Sequence, residues 1–406
     1  MTDRKNETFF HDNINSELAN ELLSKYRREK LPQFPFVIIP AEADVSTLRK
    51  ESPFLLLCIL TASTERDYAL QNSLELFVRK EIASRVVVGV ERNMDILQGL
   101  LVHAAWYHYH WETYHTHHYM LLQMASMIAA DLGLDRQESF RMQQTPPEGK
   151  EAVLAKGSVA HTAAQQRALL GCYYLCSKSS LFRRQLYMRH TPWIDQCAGS
   201  LAERAGYPTD SKHKTYIDVQ SRMRQSRLLF DEERRYLDRP KSATWDQVTK
   251  LVAQQQAQTN NLLPSLNTSD DWSLRIELGA APALVRGQAL GRQKHVFTLQ
   301  EHNQLGYMTA SAHCVIDIFL EMPSPAAIHL PSPAYATIWY CLLALSKLSL
   351  LFHPNERRSI GVDRKKKIHE KATAIMQKFD ELTLGDDFWP SSIGGDWADA
   401  GVAGEI

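Results

Sequence analysis

The sequence predicts an all-α protein, a large irregular domain of packed antiparallel helices. Three observations lead to this fold class. Apolar residues recur at helical spacing along most of the 406-residue chain. Alternating runs typical of strands are almost absent, and no internal repeat of fixed period is visible, so a regular solenoid is not expected. A composition of 44% hydrophobic and 23% charged residues is ordinary for a globular domain with a large core.

The first segment, residues 1–33, is predicted to hold a polar start and one amphipathic helix at 14–30. Its apolar side is formed by leucines such as Leu22. Pro32 ends the helix, because proline disfavours helical geometry in the residue before it. The helical body of the domain is expected to follow over residues 34–384.

The body begins with a short irregular region before a buried helix. The apolar stretch 34–40 is predicted to be extended, and the polar segment 41–52 is predicted to hold a turn or a helix cap at Asp44. Pro53 suits the first turn of a helix, where its missing N–H is not needed. The apolar run 53–63 therefore predicts a buried helix.

The next helices have recognisable ends. Gly89 follows the first of them as a helix breaker, and Asn93 is the predicted N-cap of the second. Gly133 and Leu134 suggest a glycine C-cap with the leucine folded back on the last turn. The helices predicted in this part cover residues 72–88, 93–117 and 118–132.

The second half continues the helical pattern after one polar interruption. Pro, Gly and Lys residues at 143–162 predict a mobile surface loop. The helices predicted after it cover residues 163–186, 193–205 (ending at Gly206), 212–237, 243–259, 270–290, 297–321, 333–352 and 366–383. The tail, 385–406, is acidic and aromatic, which predicts either a flexible activation segment or a segment that docks its tryptophans on the domain.

Charge and cysteine content narrow the function classes. Lys plus Arg equals Asp plus Glu at 46 each, which argues against direct nucleic-acid binding. Six cysteines are too few for a disulfide scaffold, and Cys172 and Cys176 have no second pair at ligand spacing, so no metal and no cofactor are predicted. The N-terminus lacks a signal peptide and 335–352 is too interrupted to span a bilayer. We therefore expect an intracellular protein, in the nucleus or cytoplasm, with no membrane contact.

One stretch, 103–118, concentrates histidine and aromatic residues and is the best candidate for a pocket wall. The predicted ligand-pocket residues are Trp106, Tyr107, His108, Trp111, Glu112 and His115. On a continuous helix, His108, Glu112 and His115 would share one face, as zinc or iron ligands do. The alternative is aromatic packing with histidines hydrogen-bonded at the rim, and the spacing matches no HExxH motif. We expect a small-molecule pocket rather than a metal site.

Two further motifs have structural alternatives. Residues 269–277 loosely resemble the second metal motif of class I terpene cyclases, with Ser273 and Glu277 at its spacing, but no DDxxD partner occurs, and a helix cap explains the segment equally. The basic run 364–367 suits a nuclear import signal or a solvated helix start. No GxSxG, GxxxxGK[ST] or strand-linked GxGxxG motif is present.

Several ordered blocks resemble the middle homology region of fungal zinc-cluster transcription factors. The blocks are FPFVIIP (34–40), ESPFLLLCILTAS (51–63), ASRVVVGVERNMDILQGLLVHAAWYHYHW (83–111), YMLLQMASMIAADLGLDR (119–136), QQRALLGCYYLCSKSS (165–180) and TPWIDQCAGSLAE (191–203). The resemblance covers about residues 30–350 and implies an all-helical regulatory region. The family's DNA-binding six-cysteine cluster has no counterpart in this sequence, so direct DNA binding is not expected.

The resemblance predicts a transcription-regulator-like protein. We expect it to act through a protein partner, either a complete transcription factor or a second copy of itself, and by sensing a small molecule. A co-regulator, a truncated paralogue and a helical scaffold with another task all fit the sequence. The alternative function is an enzyme or ligand-binding protein of fungal secondary metabolism on the same fold, for which polar residues should converge on a closed apolar cavity.

Overall fold

The structure is a computed structural model that describes residues 14–137, 160–182, 186, 188–235, 241–262, 266, 271–291, 299–351 and 358–383. Within these ranges the chain is helical and contains no strand, which confirms the predicted all-α class. The α-helices in these ranges are α1 (Ser16–Lys25), α2 (Val45–Glu51), α3 (Pro53–Ser63), α4 (Tyr68–Glu81), α5 (Met94–Ala105), α6 (Trp111–Asp131), α7 (Ala163–Lys178), α8 (Pro192–Arg204), α9 (Asp210–Arg235), α10 (Lys241–Leu262), α11 (Trp272–Gly287), α12 (Leu299–Glu321), α13 (Ser324–Ala327), α14 (Ser332–Leu351) and α15 (Arg358–Thr383).

The first core is built by α1 to α8 with the start of α9. Helix α3 lies at its centre and buries every residue from Phe54 to Ser63, as a helix that is apolar on all sides must. Helix α5 packs closely against it at Gly99, where an added Cβ would lie 2.4 Å from Cδ1 of Phe54. Two leucines of α11, Leu274 and Leu278, complete this core.

The second core joins α9, α11, α12, α14 and α15. Helix α11 serves both cores, because Ile276 and Ala280 enter the second while Leu274 and Leu278 enter the first. Helix α15 is attached through Lys378, whose Nζ donates to the carbonyl oxygens of Phe319 at 2.7 Å and Leu320 at 3.0 Å. These carbonyls belong to the last turn of α12 and have no partner within that helix.

Several predicted helix ends are confirmed. Asn93 caps α5 by accepting a hydrogen bond from the backbone N–H of Ile96 at 2.9 Å. Pro53 occupies the first turn of α3. Gly133 follows α6 with a φ of 69°, in the left-handed region that glycine tolerates, and Leu134 folds back to donate its N–H to Ala129 at 2.9 Å.

The predicted long helix 93–117 is wrong, because the chain breaks within the histidine-rich stretch. Helix α5 ends at Ala105, a 3₁₀ turn covers Tyr107–His110, and α6 runs without interruption from Trp111 to Asp131. The predicted boundary between residues 117 and 118 therefore does not exist. The break turns Trp106 into the interior, where it is 1% exposed. Tertiary packing overrides the local helical preference here.

Smaller corrections concern the helix ends. Residues 34–37 form turns rather than an extended stretch, and the polar segment 41–52 contains α2, whose N-cap is the predicted Asp44. The left-handed residue after α8 is Ala205 rather than Gly206. Helix α7 ends at Lys178 and gives way to a 3₁₀ turn, and α15 begins at Arg358 rather than at 366.

Two predicted flexible regions fall mostly or wholly outside the described residues. Of the loop at 143–162 the structure describes only the end, where Thr162 forms a capping box with Gln165 at the start of α7. The tail at 385–406 and residues 1–13 are likewise not among the described residues. None of the helices that the structure describes has the length and apolar character needed to cross a bilayer.

Candidate functional site

Residues Trp106–His110 form a corner between α5 and α6. The Trp106 ring packs edge-on against Tyr26 at 5.9 Å and against Phe34 at 6.1 Å between ring centroids. The corner therefore packs into the first core. The two rings that contact Trp106 come from the N-terminal segment (Tyr26) and from the turn after it (Phe34).

The corner holds a turn that lies far away in the sequence. The turn, residues 328–332, connects α13 to α14. Trp106 donates its indole N–H to the carbonyl oxygen of His329 at 3.1 Å, and the Tyr109 hydroxyl donates to the carbonyl oxygen of Ile328 at 2.7 Å. His108 meets the Ser332 hydroxyl through ring atom Nδ1 at 3.1 Å. The corner thus contacts the first residue of α14 directly.

A buried charged group lies behind this contact. Glu65 is fully buried and lies 2.8 Å from Nζ of Lys25, 3.6 Å from Nζ of Lys30 and 3.2 Å from Nδ1 of His329. Lys30 is also fully buried and donates to the Tyr109 hydroxyl at 2.8 Å. The charged group therefore joins the N-terminal segment, the end of α3, the corner and the 328–332 turn.

Burial and ion pairing set the charge states of this group. Burial alone would raise the pKa of Glu65, but Lys30, His329 and Lys25 outweigh it and lower that pKa to about 2. Burial lowers the pKa of Lys30 to about 8, with Glu65 opposing the change. At neutral pH, Glu65 is ionised and Lys30 is mostly protonated, so opposite charges meet in the interior, away from bulk solvent.

A second buried polar cluster lies on the other side of the corner. Glu75, 1% exposed, lies 3.2 Å from Nε of Arg79 and 3.5 Å from Nε2 of His103. The His103 ring lies 5.9 Å from that of His110, and the His118 ring lies 5.6 Å from that of Tyr107. The cluster places a carboxyl group and three imidazoles in the interior.

The pKa values of the second cluster favour neutral side chains. Burial raises the pKa of Glu75 to about 7, with Arg79 opposing. Burial also lowers the pKa of His110 to about 3, that of His118 to about 4 and that of His103 well below its usual range. Near neutral pH the imidazoles are therefore uncharged, and Glu75 is the group whose charge changes.

The structure separates the predicted pocket residues into two sets. Trp106, Tyr107 and His108 lie together at the corner. Trp111, Glu112 and His115 follow in α6, and their side chains lie outside the described part of the chain. The helix break lies between His108 and the other two residues, so the continuous helix on which His108, Glu112 and His115 would share one face is interrupted. No group of metal-ligating side chains is found among the described residues.

Sequence reasoning missed the charged partners of the corner. Lys30, Glu65 and His329 are separated by long stretches of chain, and no spacing rule connects them. The available signal was Lys30, which precedes the apolar Leu31 at the end of an amphipathic helix.

The cyclase-like motif is explained by buried ion pairs. Glu277 lies 2.6 Å from Nζ of Lys178 and accepts hydrogen bonds from Tyr174 at 3.2 Å and Gln220 at 2.6 Å. Asp271 pairs with Lys212, and Ser269 lies outside the described residues. These carboxylates are already neutralised by lysines of the chain itself.

Comparison with known proteins identifies a family that matches this part of the chain. The family model described as the WAR1 C-terminal domain matches residues 3–226, more than half of the chain. The match ends inside α9 and covers most of the first core, including the corner, but not the 328–332 turn.

Three curated relatives are fungal transcription factors by name. The chain is 32% identical to transcription factor himD of Aspergillus japonicus over 50% of this chain and 34% of that protein. It is 26% identical to transcription factor opdL of Penicillium oxalicum over 86% of this chain and 62% of that protein. It is 27% identical to transcription factor pbcR of Emericella nidulans over 47% and 27%, respectively. The chain thus spans less than two thirds of the length of each, and no solved structure matches.

Proposed function

Because the chain belongs to the family of the WAR1 C-terminal domain, we propose that it is a transcription-regulator-like protein that acts through protein contacts and senses a small molecule. The observation that carries the proposal is the family match, which coincides with most of the first core and with the corner. The names of three relatives as transcription factors support the same role. We further propose that the protein works in the nucleus.

Exposed apolar surface supports the role of protein contacts. Val87, Val88 and Val90 are 59%, 80% and 62% exposed; the first two end the π-helical segment Ile82–Val88, and Val90 follows it after Gly89. Clustered exposed apolar side chains of this kind are common at protein–protein interfaces. The proposed partner is a complete transcription factor or a second copy of the chain.

The corner is the proposed place of small-molecule sensing. It combines aromatic side chains with the polar tips of His108, Tyr109 and Ser332, a mixture that orients small ligands in proteins. Native mass spectrometry of the purified chain and of His108→Ala tests it. A small molecule retained by the wild type and lost from the variant is expected, whereas two proteins of identical, ligand-free mass would contradict sensing at this corner.

A tethered reporter assay tests the regulatory role. Residues 1–406 are fused to a heterologous DNA-binding domain, and transcription is compared with that domain alone. We expect the fusion to change reporter transcription. Equal transcription from both, with the fusion present at the same level in the nucleus, would contradict the proposal. Removing 385–406 from the fusion tests the activation-tail prediction separately, since an unchanged reporter would exclude that role for the tail.

A further inference from the structure

The seam between the corner Trp106–His110 and the turn 328–332 is polar. The His108 and Tyr335 rings lie 4.9 Å apart across it, and hydrogen bonds and an ion pair also join its two sides. They run from Trp106 to the His329 carbonyl, from Tyr109 to the Ile328 carbonyl, from His108 to Ser332, and from Glu65 to the His329 ring. The two sides are therefore joined by groups that water can also satisfy.

The buried charges lower the free-energy cost of opening this seam, and the contact of Glu65 with His329 across it opposes that opening. Two opposite charges inside a protein lose much of their hydration, and water returns it when the seam parts. The carbonyl oxygens of Ile328 and His329 gain water in the same step. Separating an apolar seam of similar size offers no such compensation. The hydrogen bonds of a polar seam thus define one closed geometry, while the hydration gained on opening keeps the free energy of the open state low.

The charges are also unequal in number. Two ammonium groups, Lys25 and Lys30, meet a single carboxylate, Glu65. Lys25 keeps 21% of its side chain exposed to solvent, whereas the Lys30 side chain is fully buried. Glu65 therefore holds two like charges together, and its loss would leave them facing each other.

A movement of the turn would reach the second core. Ser332 is the first residue of α14, and Tyr335 one turn later donates its hydroxyl to the carbonyl oxygen of Ala327 at 2.6 Å. The Tyr335 ring also lies 6.0 Å from the ring of Phe379 on α15. The start of α14 thus links the corner to the last described helix.

We propose that the turn 328–332 is a latch that opens and closes on the corner Trp106–His110, with Glu65 as the group that keeps it closed, and that its position sets the regulatory output. In the closed state the turn covers Lys30 and Trp106. In the open state both become accessible to water and Leu330 of the turn, which is fully buried in the second core, is displaced, while the rest of both cores stays folded. This inference rests on the proposed function, because the latch is proposed to control the regulatory activity.

Hydrogen exchange measured by mass spectrometry on the full chain tests the latch. The Glu65→Gln variant removes the negative charge, and Tyr109→Phe removes only the hydroxyl that connects Lys30 to Ile328. The matched control is Asp210→Asn, which makes the same change in the buried pair with Arg167, 2.7 Å apart, away from the turn. In Glu65→Gln we expect exchange at 328–335 to rise by about tenfold or more, as loss of one buried charged partner predicts.

The other variants decide the outcome. Tyr109→Phe is expected to raise exchange in the same segment by a smaller factor, and Asp210→Asn to leave it unchanged, while α5 and α11 keep their protection. Wild-type rates at 328–335 in both seam variants would overturn the latch, as would an equal rise throughout the molecule. If Glu65→Gln fails to fold, the Tyr109→Phe result decides alone.

The tethered reporter separates the latch from the function. Glu65→Gln and Tyr109→Phe should shift reporter transcription in the same direction relative to wild type, and Asp210→Asn should not. Faster exchange with unchanged transcription would overturn the regulatory role of the latch and leave the proposed function standing. A wild-type fusion without any effect on the reporter would overturn the proposed function, and the switch with it.

Discussion

At the scale of single residues, Glu75 shows how burial sets a charge. Its carboxyl group is 1% exposed and has Arg79 and His103 as near charged or titratable neighbours. Burial raises its pKa from 4.5 to about 7. The folded protein therefore holds a proton on this group over a pH range in which the unfolded chain has released it.

Replacing Glu75 with Gln should remove a pH dependence of stability. Since the folded pKa is raised, wild type should lose stability relative to Glu75→Gln as pH rises from 4.5 to about 7, by up to about 3 kcal/mol. Urea unfolding of both proteins at about pH 5 and about pH 8 measures this difference. Lowered histidine pKa values act in the opposite sense and are common to both proteins. If the difference in stability between the two proteins were the same at both pH values, the raised pKa of Glu75 would be contradicted.

Residue types predicted part of the corner and not its partners. Trp106, Tyr107 and His108 were identified because aromatic and imidazole groups crowd one short stretch. Glu65 and His329 were not, because an ion pair between distant segments leaves no periodic trace in either segment. The shared face of His108, Glu112 and His115 assumed a continuous helix through Trp106, where the chain instead breaks.

At the scale of helices, two glycines differ in the space around them, one at a close helix contact and the other with no neighbouring atoms nearby. Gly99 of α5 faces Phe54, and an added Cβ would lie 2.4 Å from its ring. Gly199 lies inside α8, where an added Cβ meets nothing within 4 Å. The same substitution should therefore have opposite effects at the two positions.

Gly99→Ala should destabilise the protein and Gly199→Ala should stabilise it. Overpacking between α3 and α5 is expected to lower the free energy of unfolding by about 1–3 kcal/mol. At Gly199, alanine is expected to raise it by about 0.5–1 kcal/mol through better helix propensity. Urea unfolding of both variants is the measurement. Shifts of the same sign would show that the approach of the two helices is looser than described.

Helix ends were predictable where a local rule governs them. Asn93, Pro53 and Gly133 act through their own backbone or side chain, and their roles follow from residue type. The break at Trp106 and the left-handed Ala205 depend on tertiary packing, so sequence periodicity alone did not reveal them.

At the scale of the whole molecule, one buried polar node joins four helices. Glu277 of α11 pairs with Lys178 of α7 at 2.6 Å and accepts a hydrogen bond from Gln220 of α9. Lys178 also donates to the Thr337 hydroxyl of α14 at 2.9 Å. The node lies where the two cores meet, so its loss should destabilise both cores.

Replacing one partner of this ion pair should destabilise the protein more than replacing both partners. Glu277→Gln should lower stability by about 3–5 kcal/mol, because it strands the Lys178 ammonium in the interior. The double variant Lys178→Met/Glu277→Gln should lose less. A double-mutant cycle in urea measures the coupling. The exposed pair Lys366 and Glu370 provides a control cycle with no measurable coupling. Additive effects at the node would contradict its role.

The end of the family match inside α9 does not coincide with the end of the folded unit. A fragment that stopped at residue 226 would keep Lys178 and lose Glu277, and it would lack the leucines of α11 that close the first core. It would also present Lys30 and Glu65 to solvent at an uncovered seam. The segment that matches the family model is thus shorter than the part of the chain that buries these charges, and fragments for structural work should extend through α14.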